Sequence, residues 1–372
     1  MHLRKSLRRY AKKGLYPGKT AGKCRSVVSD WVLLFGSSGK ITVMTKEKMK
    51  KIAITMGDPG GVGPEIIVKA ILSPEVRGCC DPVVIGDRTV MEAAVRLIDG
   101  HIGLRTIRTP EEYTASAETI EIIEAGTLNF FEKGRATAEG GSACAGYIGK
   151  AVELATARKV DGIVTAPISK EALKLAGLKW PGHTEMLAEL TATENFGMML
   201  TGGPLRVILV TIHTSLRSVP GMITRSRVLR TILLAKKACY MLGIESPRIA
   251  VAGLNPHAGE SGIFGDEEIK EIAPAVNDAK KEGISVSGPY PPDTVFHKAY
   301  RGAFDIVVCM YHDQGLVPLK MIAFENGVNV TIGLPVIRTS PDHGTAYDIA
   351  WTGKADASSM IEAIRLAARL RL

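Results

Sequence analysis

From residue 50 onward, short runs of β-branched and aliphatic residues alternate with longer stretches in which apolar residues return every three or four positions. Runs of the first kind suit strands buried on both faces; stretches of the second kind suit amphipathic helices. The pattern predicts strands over 51–56, 82–86, 162–166, 206–213, 248–253, 306–311 and 328–332. Helices are predicted over 64–72, 142–157, 184–191, 225–242, 266–282 and 355–370. Alternation on this scale defines an α/β protein with a largely parallel sheet. Pro64 opens the first helix, at a position whose N–H has no helical acceptor in any case.

Composition narrows the class. The 372 residues suggest two domains, or one domain in two lobes, at ~150 residues each. With 45% hydrophobic and 23% charged residues, wholesale disorder and fibrous architectures are excluded. No apolar stretch approaches the ~20 residues needed to span a bilayer. Six scattered cysteines without a CxxC pair point to a reducing, cytoplasmic setting.

Net charge divides unevenly. Residues 1–50 hold 13 Lys and Arg against Asp30 and Glu47, leaving 34 basic and 36 acidic residues for the remainder. The basic character therefore belongs to the leader and gives no ground for a nucleic-acid function of the body. A transit peptide, an RNA-binding arm, or sequence ahead of the true start would each have this composition. Met44 and Met49 both stand just before the first strong strand, so residues 1–49 are expected to be a dispensable extension outside the fold.

Three predicted strands run into histidines: 206–212 into His213, 248–256 into His257 and 305–311 into His312. Ligands of open α/β sheets bind at the carboxyl ends of the strands. One such histidine is ordinary strand-end polarity; three, in a chain with 8 histidines, point to a divalent-metal site. The glycine-rich segment GDPGGVGPE (57–65) joins the first strand to the first helix, as either an anion-binding loop or a tight turn. It lacks GxGxxG, so the usual dinucleotide fingerprint is missing. Thr184, in GHTEML (182–187), is placed to cap a helix whose N–H groups suit a phosphate or carboxylate. Lys320, Asn329 and Arg338 follow among apolar residues as a candidate phosphate clamp. The segment 342–350, with His343, Gly344, Thr345 and Asp348, supplies a turn and a carboxylate suited to a nucleotide.

Together with TAPISK (165–170), LNPHAGE (254–260), PPDTVF (291–296), YHDQG (311–315) and GLPVIRTSPDHGTAYDIA (333–350), these motifs make the chain resemble the 4-hydroxythreonine-4-phosphate dehydrogenase family of vitamin B6 biosynthesis. The resemblance spans 51–372 and leaves the leader without a counterpart. It implies the two-lobed isocitrate/isopropylmalate dehydrogenase-like fold, which uses NAD or NADP without a GxGxxG Rossmann domain. The lobes would be about 50–190 plus 330–372, and about 191–329, with the active site in the cleft between them.

By the same resemblance, His213, His257 and His312 would bind one divalent ion (zinc, magnesium or cobalt), and His183, Thr184, Lys320, Asn329 and Arg338 the substrate. Segment 342–348 would bind the cofactor, and Lys320, Asp313 or Asp293 would take a proton. The family's sites lie at a homodimer interface with contributions from both chains, so the three histidines are to be judged on a dimer. The implied substrate is 4-phosphooxy-L-threonine, oxidised at its 3-hydroxyl and then decarboxylated. Rivals are a sister dehydrogenase acting on 4-phospho-threonate or 4-phospho-erythronate and, more remotely, a metal-dependent hydrolase or lyase. No nucleic-acid or membrane partner is expected.

Overall fold

The computed structural model describes residues 49–372, Thr127 and Asn129 excepted, and upstream of them the backbone of three strands. These are β1 (Arg25–Val28), β2 (Trp31–Phe35) and β3 (Ile41–Thr45), paired as an antiparallel meander. They belong to a unit, Met1–Lys48, separate from the body, Met49–Leu372. The rest of the expected basic extension lies outside the described residues.

The strands of the body are β4 (Lys50–Thr55), β5 (Cys80–Gly86), β6 (Gly103–Thr106), β7 (Thr119–Glu124), β8 (Gly162–Thr165), β9 (Gly197–Gly202), β10 (Leu205–Leu209), β11 (Ile249–Ala252), β12 (Val286–Tyr290), β13 (Ile306–Cys309), β14 (Val328–Ile332) and β15 (Arg338–Pro341). They form one twelve-stranded sheet in the order β12-β11-β13-β10-β9-β14-β15-β8-β4-β5-β7-β6. The pairs β9/β10, β9/β14 and β14/β15 are antiparallel and lie together near the centre; the other eight are parallel. This is the largely parallel α/β architecture expected from the alternation of elements.

Helices cover the sheet: α1 (Gly63–Leu72), α2 (Arg88–Ile98), α3 (Ala138–Thr156), α4 (Lys170–Leu175), α5 (His183–Leu190), α6 (Arg225–Met241), α7 (Ala273–Lys281), α8 (Pro292–Tyr300), α9 (His312–Ala323) and α10 (Ser358–Arg369). Burial on both faces explains why β4, β8 and β13 read as unbroken apolar runs: Ile52, Ile54, Ile163, Val164, Val307 and Val308 are all fully buried. α3 packs on β4, β5 and β8, and α10 on β15, β8 and β4.

Several elements differ from the pattern's expectation. The strand expected over 206–213 ends at Leu209. Val210 and Thr211 still donate to the carbonyls of Cys309 and Met310 before the chain turns away. The helix expected from Thr184 starts one residue earlier, after Gly182, so Thr184 lies inside it, buried, and is not its cap. β15, Arg-Thr-Ser-Pro, was not expected, because nothing in its sequence is apolar. It is nevertheless buried between β14 and β8, which satisfy its backbone on both sides.

β5 and β8 flank β4 on opposite sides, so the chain reverses its winding there. A crevice opens outside the carboxyl ends of strands at such a switch point. The 57–65 loop after β4 and the 166–170 segment after β8 both lie there.

Candidate functional site

The strands leading to the three histidines are immediate neighbours in the order β11-β13-β10, all parallel. His213 and His312 come together, with ring centroids 5.6 Å apart, and line an open cavity of about 420 Å3 with Tyr311, Asp313 and the 214–216 turn. Burial, then the charges of Lys170 and His312, hold His213 below the ordinary imidazole range, so it is neutral at pH 7. The Nδ1 of His312 lies 2.7 Å from Oδ1 of Asp313. A carboxylate there accepts from Nδ1 and orients the ring, so that Nε2 is the nitrogen left to bind a metal. A neutral imidazole at His213 beside a second one oriented at His312 is donor chemistry that suits a divalent ion.

His257 does not join them within one chain. Among the described residues no group of three His, Cys, Asp or Glu side chains could hold an ion. The reason lies in the loop after β11. Residues 257–261 all have positive φ, from 42° to 81°, and wind left-handed. His257 there faces Phe264, ring centroids 6.1 Å apart. Asp293, exposed in the first turn of α8, belongs with this loop, since α8 packs against 256–262.

Arg338 anchors a second cluster. Its side chain is 2% exposed, and it donates from Nη1 to Oγ1 of Thr331 (3.0 Å) and from Nη2 to Oγ1 of Thr165 (2.7 Å). Among the described residues its Nε has no partner, and neither have the buried Oδ1 of Asn329 and Nε2 of His183. No carboxylate pairs with it among the described residues; Glu185 acts on it only at longer range. Burial pushes the guanidinium down to about 9, and burial together with Arg338 holds His183 well below the usual imidazole range. A buried cation beside unpartnered polar atoms is arranged for an anion.

Lys320, on α9, is half-exposed and reaches Oδ2 of Asp342 at 3.2 Å. That pair ties the expected substrate residues to the 342–348 segment. The segment also clasps the glycine-rich loop. Val62 donates to the Thr345 carbonyl (3.0 Å), Tyr347 to Oδ2 of Asp58 (2.7 Å), and the Trp351 and Gly353 backbones to Glu65 (2.6 and 2.9 Å). A Cβ on Gly61 would lie 3.0 Å from Thr345, and one on Gly60 would lie 2.5 Å from the Arg135 carbonyl. The loop's glycines therefore admit the protein's own backbone and not a ligand. His343, Gly344 and Asp348 are exposed, and open space surrounds Gly344.

Sequence reasoning missed the residues that hold the strand ends in place. Gln314 accepts from the Met310 N–H and donates to the Gly253 carbonyl, both at 2.7 Å, and so bridges the ends of β13 and β11. Glu268, buried, accepts from the N–H groups of Leu254 and Asn255 and from the Asn255 amide. Lys170 and Glu185 both act electrostatically on His213. Gln314, Asn255, Lys170 and Glu185 stood inside motifs already noted; nothing in the sequence marked Glu268.

A polar crevice at strand carboxyl ends, with a buried cation lacking a carboxylate partner among the described residues and two adjacent imidazoles, is the arrangement of an α/β enzyme site suited to an anion. The profile of the family described as "Pyridoxal phosphate biosynthetic protein PdxA" matches residues 78–367. A 4-hydroxythreonine-4-phosphate dehydrogenase of Desulforapulum autotrophicum is 51% identical, over 85% of this chain and 94% of its own length. A D-threonate 4-phosphate dehydrogenase of Cupriavidus necator is 49% identical, over 86% and 96%. The crystal structure of a 4-hydroxythreonine-4-phosphate dehydrogenase from Klebsiella pneumoniae superposes with a TM-score of 0.80 at 46% identity, covering 86% of this chain and 98% of that one. The chain belongs to the 4-hydroxythreonine-4-phosphate dehydrogenase (PdxA) family of oxidoreductases.

Proposed function

We propose that the protein oxidises 4-phosphooxy-L-threonine at its 3-hydroxyl with NAD or NADP, giving 2-amino-3-oxo-4-phosphooxybutanoate. This β-keto acid loses CO2 to yield 3-amino-2-oxopropyl phosphate, a step in pyridoxal 5'-phosphate biosynthesis. The observation that carries the reading is the buried Arg338, which has no carboxylate partner among the described residues. A phosphate dianion supplies the missing charge, with Lys320, Thr184, His183 and Asn329 completing its contacts.

His213 and His312 fit two of the ligands of a divalent ion, and His257 of the partner subunit would be the third. Two exposed apolar features support such a homodimer. One is the stripe Val317 and Met321 on α9 with Phe324 just past its end, at 57%, 82% and 77% exposure; the other is the tip formed by Ile263 and Phe264 beside His257. The cofactor would lie against the exposed His343, Gly344 and Asp348. A divalent ion held by these histidines would supply Lewis acidity at the 3-hydroxyl, and a nicotinamide held at 343–348 would supply the hydride acceptor. Lys320, Asp313 and Asp293 are the candidate proton acceptors. The pH profiles of Lys320→Met, Asp313→Asn and Asp293→Asn separate them.

A second reading, oxidation of 4-phospho-threonate, is favoured by relatives of that name at 49% and 47% identity. Reduction of NAD or NADP with each substrate, before and after chelation, decides between the two. No reduction with either compound refutes both. Shared sites are tested by mixing His213→Ala with His257→Ala. Each variant alone is inactive, and heterodimers with one intact site restore about a quarter of wild-type turnover. No recovery after unfolding and refolding the mixture refutes the partner-supplied histidine.

A further inference from the structure

The partners of Arg338 are chemically unusual for a buried cation. A guanidinium removed from water is ordinarily met by carboxylates, which satisfy its N–H groups and cancel its charge. Here Thr165 of β8 and Thr331 of β14 take two N–H groups and cancel nothing. Register places this by design of the sheet. The β14/β15 register, continued one step past the Val330–Thr339 pair, brings Thr331 opposite Arg338, and Thr165 lies one step beyond the partner of Thr339 on β8. Thr165, Thr331, Arg338 and Asn329 share one face of the central strands, because paired residues and their i±2 neighbours point the same way.

We propose that Thr165 and Thr331 are positioning residues that hold the Arg338 guanidinium in place while leaving its full charge for the anionic end of the substrate. The proposal rests on the reading above, in which Arg338 binds the phosphate. Hydroxyls fix the planar fork from both sides and leave Nε unpartnered. A carboxylate at either position would hold the fork equally well and compete with the dianion.

The test compares Thr165→Val and Thr331→Val with Thr165→Ser and Thr331→Ser in the full chain. Each valine variant is expected to raise KM for 4-phosphooxy-L-threonine about tenfold, with kcat within about twofold, because the phosphate is bound equally in ground and transition states. The serine variants should return KM to the wild-type value. In an Arg338→Lys background the valine changes should add nothing. An unchanged KM, a serine variant as impaired as the valine one, or an equal loss in the lysine background overturns the proposal.

If a valine variant does not fold, alanine and serine are compared at that position, and equal KM values overturn it. A wild-type protein that oxidises no phosphorylated substrate refutes the function proposed above and leaves this proposal to inorganic phosphate. A thermal shift by phosphate in wild type that both valine variants lose then sustains it. No shift in wild type, or the same shift in all three, overturns it.

Discussion

Replacing Arg338 by methionine should make the free protein more stable while removing its affinity for phosphate. The guanidinium is fully buried, and burial pushes it down from the ordinary guanidinium range to about 9. At 1.36 kcal/mol per tenfold change in proton affinity, keeping it charged costs on the order of 4–5 kcal/mol. Methionine has similar length and no charge, so this penalty disappears. Against it stands the loss of two hydrogen bonds, which leaves the hydroxyls of Thr165 and Thr331 to re-pair, at about 1–1.5 kcal/mol each.

The balance is a gain of about 1–3 kcal/mol, in line with buried charges replaced by apolar groups of like volume. The sign with pH follows directly. Below pH 9 the group is protonated in both folded and unfolded chains, so the penalty is present in full at neutral pH. It is relieved only as pH rises above 9 towards the ordinary guanidinium range. Urea unfolding at pH 7.5 without phosphate measures the gain, and repeating it with 50-fold excess phosphate over Kd should stabilise wild type by about 2 kcal/mol and the variant not at all. A methionine variant less stable than wild type by more than about 1 kcal/mol refutes the reasoning, since Arg338 would then be holding the sheet together.

Gly61→Ala brings a methyl to 3.0 Å from Thr345, so it should displace the 342–348 segment, cost about 1–3 kcal/mol and raise KM for the nicotinamide cofactor more than for the substrate; equal KM values for both would count against the cofactor assignment. Glu268→Ala strips three bonds from the start of the His257 loop and should cost about 2–4 kcal/mol with loss of turnover, and a change in urea midpoint too small to resolve would show the loop is held otherwise. His183 is held neutral by burial, so the unfolded chain takes up its proton first and stability falls as pH drops below 6.5. His183→Gln should flatten that fall between pH 6.5 and 5, and an unaltered slope contradicts it. A chain beginning at Met44 should retain turnover, which a simple NAD reduction assay decides.

What the sequence made legible follows the physics of burial. β4, β8 and β13 announce themselves because strands covered on both faces must be apolar throughout. β15 was silent for the opposite reason: Arg-Thr-Ser-Pro looks like a turn until its neighbours satisfy it. Arg338 was accordingly reached through motif and resemblance, but its burial and its hydroxyl partners were not foreseeable. The ends of three strands gave the histidines; that these strands are adjacent is a fact of sheet order, which local pattern does not encode. The left-handed winding at 257–261 was equally hidden, because Ala258, Glu260 and Ser261 are not residues that invite positive φ. Thr184 misled, since a threonine before an apolar run usually caps, and here Gly182 takes that place.

The position of Arg338 within a central strand bears on how such proteins diversify. A recognition group on a loop can drift by insertion or deletion; one on a strand paired on both sides cannot move without shifting register through β14, β15 and β8 together. The names 4-hydroxythreonine-4-phosphate dehydrogenase and D-threonate 4-phosphate dehydrogenase share the phosphate and differ at the opposite end of the molecule. On the reading proposed here, selection inherits an immovable handle for one end of its substrates and explores new chemistry only at the other, where turns such as 214–216 line the crevice.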